Sequence, residues 1–265
     1  MSVSFVYRSL PKEAFIRQHS RRAFSSVKAP PAQPVVELRE YDLIPEKAAE
    51  FMKLAAASSD LRKSLSPLRF FSVPETGGKL QVATHVYYYA GGFAERDEVR
   101  IMMARNREWQ DFVLFTRSCL QCQKSTLFVE APLVTEVGLP GLAHGVTQNI
   151  PSDDCILELR RYYLKLGYDT VPKFLELYGA GLPSKLMAVG TDPTTSLITL
   201  MYSEVGRMNE VIEVWRHGNG QSAMQRSRLA ARGANDWRAA IASIADLAIE
   251  FSSTIHKPAM FSPLR

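Results

Sequence analysis

A five-residue phrase occurs twice in this chain. Glu37-Leu38-Arg39-Glu40-Tyr41 returns as Glu158-Leu159-Arg160-Arg161-Tyr162, with four of the five positions identical. The copies lie 158 − 37 = 121 residues apart. Later landmarks keep a second spacing. Gly78 and Gly206, Trp109 and Trp237, and Ser125-Thr126 and Ser253-Thr254 are each 128 residues apart. One insertion of seven residues, around 183–193, reconciles the two spacings. A constant offset through a turn, a tryptophan and a strand restricts the chain to two copies of one unit.

The unit can be read from its first copy. Val35–Tyr41 alternates apolar and polar residues, the period of a strand. Pro45 suits the first position of a helix, which the spacing carries to about Leu65. Leu68–Val73 and Lys79–Tyr89 form a hairpin across Glu75-Thr76-Gly77-Gly78. A helical stretch covers Ala94–Gln121, kinked near Asn106, and Thr126–Val129 is a short last strand. The second copy repeats the order as Cys155–Tyr163, Val171–Leu182, Leu197–Ser203, Arg207–Trp215, Ser222–Phe251 and a strand at Ser253-Thr254. The reading is an α+β fold of two tandem ferredoxin-like β-α-β-β-α-β repeats, residues 35–132 and 154–265. Residues 133–153, with turn-forming Gly and Pro and no clear period, read as a surface connection.

The net charge of +5 is confined to one end. Residues 1–28 carry Arg8, Lys12, Arg17, Arg21, Arg22 and Lys28 against Glu13 alone. The remainder balances at 32 − 6 = 26 basic and 27 − 1 = 26 acidic residues. That balance argues against a nucleic-acid-binding body. The Arg- and Ser-rich, acid-poor start has the character of a mitochondrial presequence, followed by a Pro-rich linker to residue 34. No apolar run reaches the roughly 18–20 residues of a membrane span. Three cysteines argue against a disulfide scaffold. Cys119 and Cys122, read as lying near the end of a helix and sharing one of its faces, are expected to be ordinary thiols rather than metal ligands.

A split βαβ unit covers only one face of its sheet with helices, so the other must meet a partner. Two units in tandem can close their open faces into a barrel, and two whole chains can do the same. Alternation assigns Leu38 and Leu159 to the helices and the polar set to the open face. That set is Glu37, Arg39, Tyr41, His85 and Tyr87 in the first copy. In the second it is Glu158, Arg160, Tyr162, Glu213 and Trp215. Polar and aromatic groups together suit a ligand pocket, although buried Glu and Arg can equally pair as a structural ladder. His85 is the best single acid–base candidate, with no second His at ligand spacing. Trp109 and Trp237 read as anchors of helix on sheet. No GxGxxG, P-loop or GxSxG sequence is present, and no catalytic residue, metal ligand or cofactor is assigned.

The repeated Val-Glu-Leu-Arg-Glu-Tyr and Leu-Glu-Leu-Arg-Arg-Tyr strands, Glu108-Trp109-Gln110 and the closing Phe261-Ser262-Pro263-Leu264-Arg265 resemble the NIPSNAP family. The resemblance covers about Val35–Arg265. It implies tandem domains of the dimeric α/β-barrel type, a mitochondrial protein with the matrix as first choice, and non-catalytic roles in mitochondrial quality control (mitophagy) or vesicle trafficking. The expected function is therefore a non-enzymatic interaction or adaptor protein. Its partners would be proteins such as autophagy or mitochondrial import machinery, with homo-oligomers and peripheral membrane contact left open. The alternative is a small-molecule (for example haem) binding protein or enzyme using the polar open face. Haem and oxygenase chemistry on related barrels supports that alternative by fold analogy only.

Overall fold

A computed structural model describes residues 32–143 and 152–265. The expected presequence and part of the connection at 133–153 lie outside the described residues. Strand β1 (Val35–Leu43) carries two kinds of side chain, and both find cover. A 3-10 turn at Pro45–Lys47 leads into α1 (Ala48–Ala57) and α2 (Ser59–Leu65), one expected helix broken at Ser58. Then follow β2 (Leu68–Thr76), β3 (Val82–Tyr89), α3 (Gly92–Arg105), α4 (Arg107–Arg117) and β4 (Leu120–Glu130). The kink expected near Asn106 is a chain break with a cap. The Asn106 side chain accepts the Trp109 backbone N–H at 2.9 Å, satisfying a donor that the new helix leaves open.

After the short α5 (Leu133–Glu136), the second half runs β5 (Ile156–Leu164), α6 (Thr170–Leu186), β6 (Thr195–Val205), β7 (Glu210–His217), α7 (Gly220–Gly233), α8 (Asn235–Ala245) and β8 (Ala248–Pro258). The spacing read from sequence returns in five of these elements, while α6 and β6 begin 170 − 48 = 122 and 195 − 68 = 127 residues after α1 and β2. β5 follows β1 by 156 − 35 = 121 residues, and β7, α7, α8 and β8 each begin 128 after β3, α3, α4 and β4. Two boundaries differ from expectation. β4 and β8 start six and five residues before Thr126 and Ser253, so Phe251 is in a strand and not in a helix. Gly92 and Gly220, also 128 apart, open their helices at φ 69° and 66°. A side chain at either would collide with the carbonyl of Gln33 or Asp154.

All eight strands form one closed antiparallel barrel in the order β1-β3-β2-β8-β5-β7-β6-β4. Each half supplies four consecutive staves, and two seams join the halves, β2 on β8 and β4 on β6. The middle of the barrel interior is apolar. Val36, Leu38, Phe70, Val86 and Phe128 meet Leu157, Leu159, Ile198, Ile212 and Val214 in one buried cluster. Burying each leucine there is worth about 1.5–3 kcal/mol. The interior also takes Leu142 and Leu264, both fully buried. Arg69 ties them together, because its Nε donates to the Leu142 carbonyl and its own carbonyl accepts the Leu264 N–H. The closing Phe-Ser-Pro-Leu sequence is therefore part of the core. The connection is not purely a surface passage either, since Leu133, Val134 and Leu142 are buried.

The inward row of the repeated phrase continues to Glu40 in β1 and Arg161 in β5, the one position where the two copies differ. Arg161 Nη2 donates to Glu40 Oε1 at 2.5 Å, and Nη1 donates to Glu210 at 3.0 Å. Equivalent positions of the two halves thus meet as an ion pair.

Candidate functional site

The polar residues singled out in the sequence lie on the opposite face from the one assigned to them. Leu38 and Leu159 point into the barrel, while Glu37, Arg39 and Tyr41, like Glu158, Arg160 and Tyr162, point out beneath the helices. The physical reason is that apolar side chains of both copies fill the middle of the barrel between them. The charged rows take the side where helix-borne partners can reach them. The ten residues therefore do not line the joined open faces of the two halves.

In the first half Glu37 is buried and collects four donors. Arg39 Nε lies at 3.0 Å, Arg96 Nη2 at 2.9 Å, Ser125 Oγ at 2.7 Å and Tyr89 Oη at 3.2 Å. Burial raises this carboxyl, but the charge of Arg39 and the bonds from Arg96 and Ser125 outweigh it and hold it at about 2. Arg39 also donates to Tyr41 Oη at 3.0 Å. Beside it, the fully buried Arg62 of α2 donates to Tyr87 Oη at 2.7 Å and lies over the rings of Phe71, Trp109 and Phe112. His85 shares the same Tyr87 hydroxyl through Nδ1 at 2.9 Å. Burial, then the nearby Arg62 and Arg39, push His85 well below its ordinary range, so it stands neutral. It packs edge-on to Tyr41 and stacks on Phe71, a core histidine without acid–base character near neutral pH.

The second half repeats the plan with different parts. Glu158 is buried and accepts from Arg160, Arg228, Ser253 and His217 at 2.5, 2.5, 2.9 and 3.2 Å. Burial opposes its charge, and the bonds from His217, Arg228 and Arg160 override that and hold it well below the carboxylate range. Glu213, which replaces His85, accepts from Tyr162 Oη at 2.6 Å and from the Trp215 indole. Lys185 of α6 takes the place of Arg62. Its Nζ lies 3.8 Å from the Trp215 ring centre, 4.1 Å from that of Trp237 and 3.8 Å from Glu213. At that last distance the contact is one of charge without a hydrogen bond. Burial draws its pKa down to about 7, against the opposing pull of Glu213.

Over this second cluster lies an open cavity of about 550 Å³ beneath α7 and α8. Its lining includes Glu158, Arg160, Lys185, Trp215, His217, Arg228, Trp237 and Phe251. The first half has a groove of about 470 Å³ between α3 and α4, reaching Arg39, Tyr41, Arg62, Trp109 and Phe112. Each half thus brings its own five candidates together, and the closed barrel keeps the two sets on separate outer flanks. The reading from sequence missed Arg62, Arg96, Lys185, His217 and Arg228. A signal existed for part of this set, because Arg100 and Arg228 share the 128 spacing, and Arg100 also reaches Glu37 at 3.6 Å. Cys119 is buried beside the core residues of α1, whereas Cys122 is exposed on β4, so they do not share a helix face. No group of three or more metal-ligating side chains is found among the described residues. Among them, too, no helix is long and apolar enough to cross a membrane.

Comparison with known proteins places this geometry. The human protein NipSnap homolog 3A is 25% identical over 232 residues, covering 86% of this chain and 85% of its own length. The mouse protein NipSnap homolog 3B is 25% identical over 186 residues, covering 70% and 68%. Among solved structures, a "putative monooxygenase" from Fusobacterium nucleatum superimposes with a TM-score of 0.59 over 86% of this chain and 93% of its own. At 12% identity that likeness concerns the fold alone. The NIPSNAP family model matches twice, at residues 36–134 and 157–263, each match spanning one half of the barrel and its polar cluster. The chain belongs to the NIPSNAP family.

Proposed function

We propose that this chain is a non-catalytic mitochondrial interaction protein, built as two ferredoxin-like units closed into a rigid scaffold, with its docking surface on the helices of the first half. One observation carries the reading. On α4, Leu114 and Phe115 are 66% and 63% exposed, and their counterparts on α8 are Ala242 and Ser243. A folded chain does not ordinarily leave two large apolar neighbours in water without a use for them. Leu114 also lines the α3–α4 groove with Met103 and Val113, and Ile101 and Met102 on α3 are exposed as well. An amphipathic helix or apolar strip of a partner protein fits such a groove. Glu37 and Glu158 each take four donors from their own neighbours, which supports a structural role for these two carboxylates.

The family resemblance suggests autophagy or import machinery as partner, and the basic residues 1–34 suggest the mitochondrial address. Affinity purification from intact and depolarised mitochondria tests the first point. The wild-type chain is expected to retain a partner protein that the Leu114→Glu/Phe115→Glu chain loses. Recovery of no partner in either state would overturn the reading. A reporter fused to residues 1–34 is expected in mitochondria, and cytosolic retention would remove the address.

A further inference from the structure

The cavity of the second half has more donors than its own acceptors can use. Five cations line it, Arg160, Lys185, Arg228, Arg232 and Arg238, against the single acidic lining residue Glu158. Arg160 and Arg228 are bound to that glutamate. Arg232 and Arg238 stand exposed at the rim, and no ion pair engages them among the described residues. Two donors inside are buried without a hydrogen-bond partner, Lys185 Nζ and Arg228 Nε. The Lys185 side chain is only 9% exposed, so its ammonium is held dry. A buried donor left unmatched costs on the order of the desolvation it has suffered, and a cavity wall is where a ligand can restore the bond.

We propose that this cavity binds a small organic monocarboxylate. Its carboxylate accepts from Lys185 and Arg228, and its apolar body lies against Ile241, Ala242 and Phe251. The site adds a ligand to a molecule otherwise read as an interaction scaffold, and stands or falls independently of the α3–α4 surface. Three features select this class. The volume of about 550 Å³ suits a small molecule. Glu158 and the buried Glu213 lie close to the donors, so a second negative charge on the ligand would be repelled, which disfavours a phosphate dianion. The third is a small wall residue, since Ala242 lines the cavity at the position where Leu114 lines the groove of the first half. Rim arginines that keep their charge free would draw the anion in, an attraction that salt weakens.

Calorimetric titration of the full chain with 2-naphthoate, 2-naphthamide and 2-naphthyl phosphate tests the proposal. The naphthoate is expected to bind with a submillimolar dissociation constant, at least about tenfold tighter than the amide or the phosphate. Lys185→Met is expected to weaken it by about tenfold or more. Arg232→Ala/Arg238→Ala changes only exposed positions and leaves folding untouched. It is expected to weaken binding about threefold and to flatten the salt dependence. Absence of naphthoate binding up to about 10 mM, equal binding of the amide, tighter binding of the phosphate, or unchanged affinity in the double arginine variant would each overturn the proposal.

Discussion

The two halves of the barrel hold the same ionic frame and fill it differently. Glu37 and Glu158 each gather an arginine two residues on, an arginine from the helix after the hairpin and a serine from the last strand. What sits beside that frame has diverged. The first half has neutral His85 and an arginine lying over three aromatic rings, and the second has Glu213 and a lysine between two indoles. The shared part builds the strand–helix layer. The divergent part decides which flank keeps a cavity and which exposes an apolar ridge.

The comparison can be broken most directly at the shared glutamates. Glu37→Gln and Glu158→Gln each leave buried arginine charge uncompensated and are expected to cost about 3–5 kcal/mol by urea unfolding. Similar losses confirm equivalent frames. A loss below about 1 kcal/mol in one half alone would show that its cluster is not structural. Next in size is the contact between halves. Glu40→Arg sets two cations against each other and is expected to cost about 2–4 kcal/mol, part of which Glu40→Arg/Arg161→Glu restores. Failure of the double variant to recover anything would mean that Glu210 and Lys124, which also reach this pair, dominate it.

Acid tests the comparison next, since His85 in the first half has Glu213 as its counterpart in the second. Folding depresses the Glu37 carboxyl to about 2, so the unfolded chain takes up more protons and stability falls with pH from near 5 towards 2. The loss from this group alone is about 3 kcal/mol. His85 and His256 are depressed too, the latter to about 3, by burial first and neighbouring arginine second. They remove stability in the same direction, beginning near pH 6.5, where they protonate once unfolded. Unfolding midpoints between pH 7 and 5 should therefore fall in the wild type and fall less in His85→Phe. An identical slope would assign that limb elsewhere. Smallest in stability is the ridge. Leu114→Ala/Phe115→Ser gives the first half the residues of the second and is expected to shift stability by within about 0.5 kcal/mol, while abolishing partner retention.

The repeat was readable because its landmarks are rigid requirements of the fold. The tryptophans lie between helix and sheet, Gly206 takes a positive φ, and the serines hold the glutamates. Sidedness was not readable from alternation alone. Both faces of β1 and β5 are covered, so period two separates Leu38 from Glu37 without saying which is inside. The partners that resolve it, Arg96 and Arg228, lie 59 and 70 residues away in the chain. The early start of β8 was hidden because Ile249 and Phe251 continue the apolar content of α8, while both are largely exposed in the strand. The cavity could not be read either, since its lining comes from four strands and three helices that only the closed fold brings together.

The mismatch inside the repeated phrase acts as a rule about partners. Two first halves brought together would set Glu40 against Glu40, and two second halves would set Arg161 against Arg161. Only unlike halves present opposite charges at this point, so the barrel discriminates against pairing with its own kind. A chain bearing both halves carries the matching surface at high local concentration, whatever its abundance. Closure on itself is then favoured over exchange with a neighbouring chain, and each half is released from having to match a copy of itself.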